Sequence, residues 1–297
     1  MQQADFDSIH RHGFIRVAAA TPLVATADPA RNALATIELI DQADREGVDL
    51  VVFPELALSS YAIDDLILQD ALQEAVLEAV CAVGAASADL PPLVFVGAPL
   101  RHKGRLYNCA LGIHRGRILG VVPKIYLPNY REFYEKRWFV SGGDILDETI
   151  SIGEMTVPFG MDLLFHATDI PEFVVGVDIC EDYWAPVPPS SFAALAGATV
   201  LVNLSASNVT IGKSTQRALL SASQSARALS AYVFSAAGTG ESSPGTGRGP
   251  STNWVISSQP PSGSQTSRCL YPPTLTLVGL PESGCAFKPL RIARHAS

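Results

Sequence analysis

Long apolar runs are absent. No uninterrupted stretch of the 297 residues approaches the roughly 18 that a membrane span requires, and the opening MQQADFDSIHRHG has no apolar core of a secretory signal. Neither membrane span nor signal peptide is expected, and the expected location is cytoplasmic. Positive charge is in short supply: the net charge is -8 and the isoelectric point is near 5.2. That balance argues against nucleic acid or an anionic membrane as partner and favours a small-molecule substrate. Cysteine is sparse and odd in number, with five residues scattered at Cys81, Cys109, Cys180, Cys269 and Cys285. Such scatter suits reduced thiols better than a disulfide framework. The six histidines show no metal-ligand spacing with them, so no metal is expected.

What is present is an apolar, lightly charged chain, 47% hydrophobic and 17% charged, long enough to bury a substantial core. Strand and helix signals alternate along it. FIRVAAATP (14–22) reads as a strand. Asp28 and Pro29 then open a helix in which Ala33, Ile37 and Ile40 recur at helical spacing, and Gly47 stops it. VDLVVFPEL (48–56) is a second strand, 65–86 a long helix, and PLVFVGAPL (92–100) a third strand. A hairpin is expected over 105–120, leading to Pro123 and Lys124. Short strands follow at 155–159 and 163–166, then the strand of VVGVDICEDYW (174–184), a short helix in SFAALAGA, a strand at 200–207, an amphipathic helix at 214–230 and a strand at 231–238. Near-continuous apolar strands between helices define an α/β class with a buried parallel sheet.

Three polar residues sit where apolar runs end: Glu55 after VDLVVFP, Lys124 after the hairpin and Cys180 after VVGVDI. Loops leaving strand ends are where α/β proteins place chemistry. Singly, each has a plain structural explanation. A free cysteine is a common core residue, a glutamate can cap a turn, and a lysine can be a solvated charge. Together they supply a nucleophile, a general base and a cation for an oxyanion, which is the equipment of acyl transfer.

The order and setting of these residues resemble the nitrilase (carbon-nitrogen hydrolase) superfamily, through FPEL, PKIYLP and DICED. Within it, the runs FPELALSSYAIDDLILQD, VGAPL, KIYLPNYREFYEKR, CEDYW and NLSAS are similar to the glutaminase domains of bacterial glutamine-dependent NAD synthetases, from about Phe14 to Ser243. The resemblance implies an α-β-β-α sandwich. It implies Cys180 as nucleophile, Glu55 as general base and acid, and Lys124 as oxyanion partner, with Glu135 in FYEKR supporting the lysine and substrate. It places Tyr61, Tyr130, Glu181 and Ser207 at the glutamine substrate, although Tyr61 and Tyr130 could equally be packing. The implied reaction is hydrolysis of the glutamine side-chain amide through a cysteine thioester, supplying ammonia for NAD synthesis. A stand-alone amidase or nitrilase, or an inactive fragment, remains the alternative. Family members form dimers and larger assemblies, so a homo-oligomer is expected. ATP, Mg and nicotinic acid adenine dinucleotide would belong to a synthetase domain or subunit carrying an SGGxDS loop; SGGD at Ser141 reads only as a turn.

Past Ser243 the composition changes. Residues 244–297 hold eight prolines, eight serines and six glycines, but one acid, Glu282, against five basic residues. The expected organisation is a hydrolase domain over 1–243 and a disordered tail over 244–297. A truncated or frameshifted product would account for the change and would leave the sandwich without its C-terminal strands. In that case another frame read from about codon 243 recovers an acidic, strand-forming sequence.

Overall fold

The computed structural model describes residues 8–238 and the backbone of three strands beyond them, at 254–256, 274–279 and 291–294. Strand β1 (Phe14–Ala19) is followed by helix α1 (Pro29–Arg45), whose start is signed in the sequence: Asp28 accepts the Arg31 N–H at 3.1 Å and Pro29 occupies the first turn. Gly47, at φ 65°, then takes the left-handed conformation that releases the chain toward β2 (Leu50–Val52). Helix α2 (Asp70–Ala86) returns to β3 (Leu93–His102). Strands β1, β2 and β3 are parallel, and β4 (Arg105–His114) and β5 (Arg117–Pro123) extend them as antiparallel hairpins. The hairpin β6 (Glu148–Ile152) and β7 (Met155–Phe159) joins this sheet through β7.

The second sheet begins with β8 (Leu163–His166) and β9 (Val174–Ile179). Helix α3 (Pro189–Leu195) leads to β10 (Val200–Ser205), and α4 (Lys213–Ala228) leads to β11 (Ala231–Ala236). Strands β9, β10 and β11 are parallel. Burial follows the alternation of each strand. Leu50 and Val52 face a core shared by the two sheets with Val175, Val177, Val200 and Val202, whereas Val51 packs under α1 and α2 with Ile40, Val76 and Val80. Leu201, Tyr232 and Phe234 pack on the far side of the second sheet with Tyr183. The layers are therefore helix, sheet, sheet, helix, the sandwich expected from the resemblance.

Four regions differ from the sequence reading. The 48–56 run is a strand only over Leu50–Val52; Phe53 to Ser60 leave it as a tight turn with Leu56 at φ 51° and Ser60 at φ 74°. The helix expected from 65 is broken. A 3-10 turn at Asp64–Leu68 precedes α2, because Gln69 is extended and the Arg101 guanidinium, reaching over from β3, takes the Leu68 carbonyl at 2.7 Å. Strand β6 went unread. The region expected as a tail contributes β12 (Trp254–Ile256), β13 (Thr274–Gly279) and β14 (Arg291–Arg294), which pair antiparallel with β11, β1 and β8. The rest of that expectation lies outside the described residues. No described helix is long and apolar enough to cross a membrane.

Candidate active site

Each sheet delivers part of one buried polar cluster. From the first sheet come Glu55, in the turn after β2, and Lys124, directly after β5. The turn is seated by Gly97 of β3: a Cβ there would lie 2.3 Å from the Leu56 nitrogen and 2.6 Å from the Pro54 carbonyl. Only a glycine admits so close an approach. The Lys124 main-chain N–H bonds the Asn108 carbonyl of β4 at 2.8 Å.

The Lys124 ammonium, wholly buried, donates to Glu55 Oε1 at 2.6 Å and to Glu135 Oε1 at 2.7 Å. Asn108 Nδ2 donates to the same Glu55 oxygen at 2.7 Å, and the Ala206 N–H to Glu55 Oε2 at 2.9 Å. The Tyr61 hydroxyl donates to Glu135 Oε1 at 2.6 Å. Two carboxylates thus share one cation. Burial pulls Lys124 down, but Glu135 and Glu55 outweigh it and hold the ammonium above its ordinary value. It is a fixed positive charge. For Glu135, burial prevails over the attraction of Lys124 and pushes it up to about 7. Burial, Glu135 and Glu55 likewise raise Tyr61, which keeps its proton and donates it.

From the second sheet comes Cys180, which ends β9 and opens a 3-10 turn over Cys180–Trp184. Its backbone sits at φ 44°, a left-handed conformation that a non-glycine residue adopts only when its surroundings impose it. The Ser205 hydroxyl, at the end of β10, reaches Cys180 Sγ at 3.4 Å. Burial and the charge of Glu55 raise the thiol above its ordinary value, against Lys124. The resting group is a thiol, so a nucleophilic role requires a neighbouring base to take the proton.

The remaining expected residues lie around this centre. Tyr130, half exposed, donates to both oxygens of Glu181, at 2.9 and 3.0 Å. Burial raises Glu181, opposed by Tyr130 and Lys124. The Ser207 N–H bonds the Ser205 hydroxyl at 3.3 Å. Tyr61 turns its hydroxyl to Glu135. All eight expected residues therefore lie in one neighbourhood, five of them (Glu55, Tyr61, Lys124, Glu135 and Cys180) at the buried centre. The sequence reading missed Asn108 and Ser205, whose signal was a polar residue set within an apolar strand, and Lys213. Burial lowers the Lys213 ammonium while Cys180, Glu132 and Glu181 raise it, and it lies 5.3 Å from the centre of the Trp184 ring. A separate apolar cavity of about 400 Å³ has walls that include Ile125, Tyr126, Leu163, Leu164, Val177 and Phe192; none of the catalytic candidates lines it. Among the described residues no group of three or more His, Cys, Asp or Glu could hold a metal ion.

A four-layer sandwich whose two sheets bring a buried thiol, a carboxylate and a lysine together defines a class: thiol-dependent hydrolases of the nitrilase type. The chain belongs to the carbon-nitrogen hydrolase family, whose model matches residues 15–252. It is 55% identical over 238 residues to a glutamine-dependent NAD(+) synthetase of Mycobacterium tuberculosis, covering 80% of this chain and 35% of that relative. Among solved structures, a glutamine-dependent NAD(+) synthetase from Cytophaga hutchinsonii superposes with a TM-score of 0.72 at 24% identity, over 90% of this chain and 43% of that one. A mutant of an amidase of the nitrilase superfamily from Nesterenkonia AN1 gives 0.66 at 18% identity, over 90% and 91%. At those identities the structures bear on the fold alone, and the chain spans well under half of the mycobacterial relative.

Proposed function

We propose that this domain hydrolyses the side-chain amide of glutamine through a thioester on Cys180. The observation that carries the reading is the pairing of a thiol raised by burial with a Glu55–Lys124–Glu135 cluster that holds one fixed cation. Glu55 takes the thiol proton as sulfur attacks the amide carbon, and the N–H of Lys124 not engaged by the glutamates stabilises the oxyanion. Glu55 then returns the proton to the leaving ammonia. Water, deprotonated by the same carboxylate, hydrolyses the thioester and restores the thiol.

The rim suits a zwitterionic substrate head. Glu181, with the Tyr130 hydroxyl on it, offers a carboxylate for the α-ammonium, and Lys213 offers a cation for the α-carboxylate. The likeness to NAD synthetases supports glutamine as the amide and a synthetase domain or subunit as consumer of the ammonia. ATP, Mg and nicotinic acid adenine dinucleotide would act there; the hydrolytic step uses side chains alone. A cytoplasmic homo-oligomer is part of the same reading. The test is ammonia release from glutamine against aliphatic amides and nitriles. Faster release from glutamine supports the reading, whereas hydrolysis of aliphatic amides with none of glutamine assigns a stand-alone amidase.

A further inference from the structure

Asp182 is a buried carboxyl group whose oxygens accept three main-chain hydrogen bonds from two stretches far apart in sequence. Its Oδ1 takes the N–H groups of Ile125 at 3.1 Å and Tyr126 at 2.7 Å, the two residues that follow Lys124. Its Oδ2 takes the N–H of Ile179 at 3.0 Å, the residue that precedes Cys180. We propose that Asp182 is a positioning residue that straps the lysine-bearing loop to the nucleophile turn and so sets where the Lys124 ammonium stands relative to the carbon attacked by Cys180. This role rests on the hydrolase reading of the site.

Both ends of the strap need holding. Past β5 the chain leaves the sheet, so Ile125 and Tyr126 lie beyond the ladder that fixes Pro123 against Cys109. At the other end Cys180 is left-handed, and the bond from Ile179 closes the turn on itself. The neighbouring Asp178 supplies a contrast. It is equally buried, but it accepts the Ser190 N–H at 2.8 Å and the Tyr232 hydroxyl at 3.1 Å, tying β9 to α3 and β11 with no bond to the lysine loop. A general need for a buried carboxylate near Cys180 would make the two aspartates equivalent. A strap makes them different.

The experiment compares Asp182→Asn and Asp178→Asn in the full chain. The amide of Asp182→Asn keeps one acceptor and turns an N–H₂ against a main-chain donor, so one end of the strap is lost. Expected for Asp182→Asn is a fall in kcat for ammonia release from glutamine of about tenfold or more with KM within about threefold, as for a misplaced catalytic group. Asp178→Asn is expected to keep kcat within about threefold while lowering the thermal midpoint at least as much. Equal kcat losses in the two, or an unchanged kcat in Asp182→Asn, overturn the proposal. Amide hydrogen exchange on the unsubstituted chain decides it even where a variant fails to fold. The Ile125 and Tyr126 amides are expected to exchange at least about 100-fold slower than unbonded amides, and free exchange there overturns the strap. The glutaminase reading fails separately, if the chain releases no ammonia from glutamine while these amides are protected.

Discussion

At the scale of single residues, the site is organised by a charge mismatch, two buried carboxylates around one lysine. Glu135 carries the consequence. Its value in the fold, about 7, lies above the ordinary 4.5 because burial prevails over Lys124. The protonated form is therefore favoured in the fold. The stability this lends is fully present below about pH 4.5 and is lost as the pH rises through about 7. Asp178 and Asp182, also raised by burial, to about 6 and about 8, act with the same sign. Comparing wild type with Glu135→Gln isolates one group: the urea midpoint of wild type is expected to fall more steeply between pH 4.5 and 7.5 than that of the variant. Parallel curves would contradict the assignment. Glu55, Lys124 and Cys180 stood out in the sequence because each is a polar residue ending an apolar run, and Glu135 came through the resemblance carried by FYEKR. Asn108, Ser205 and the role of Asp182 were not, because each acts through a partner on another strand or loop that spacing along the chain does not reveal.

At the scale of elements, the turn from Phe53 to Ser60 is a product of β3. Gly97 leaves the space in which Pro54, Glu55 and Leu56 lie against the sheet, and its carbonyl accepts the Leu58 N–H at 3.2 Å. Gly97→Ala would place a methyl carbon inside the Leu56 backbone, so the turn must shift and take Glu55 with it. Since a displacement of about 1 Å can lower catalysis on the order of 100-fold, Gly97→Ala is expected to lose glutamine hydrolysis to that extent with an unchanged far-UV circular dichroism spectrum. Wild-type activity in this variant would show that the turn is set elsewhere. The helix start at Asp28 and stop at Gly47 were legible because caps are local chemistry. The break before α2 was not, since it depends on Arg101, which reaches Leu68 from a strand more than 30 residues away.

At the scale of the whole molecule, strands from beyond residue 250 occupy one edge of the first sheet, β13 beside β1, and both edges of the second, β12 beside β11 and β14 beside β8. Turn-rich composition hid them from the sequence reading, because proline, serine and glycine dominate the stretches between them. Ending the chain at 243 would strip the partners from β1, β8 and β11 and expose three sets of unpaired main-chain groups, a template for aggregation. The truncated protein is expected to be insoluble or polydisperse in size-exclusion chromatography with light scattering, whereas a monodisperse, folded product would show that these strands are dispensable. The same sandwich is what lets the turn after β2 meet the ends of β9 and β10, where Ala206 bonds Glu55 and Ser205 reaches Cys180. The most direct test of that site is to treat the full chain with the glutamine-like electrophile diazo-oxo-norleucine and locate the adduct by peptide mass spectrometry. A single adduct on Cys180, prevented by glutamine and absent in Cys180→Ser, is the predicted result; folded protein that takes no label, or takes it on Cys81 or Cys109 instead, would contradict the account.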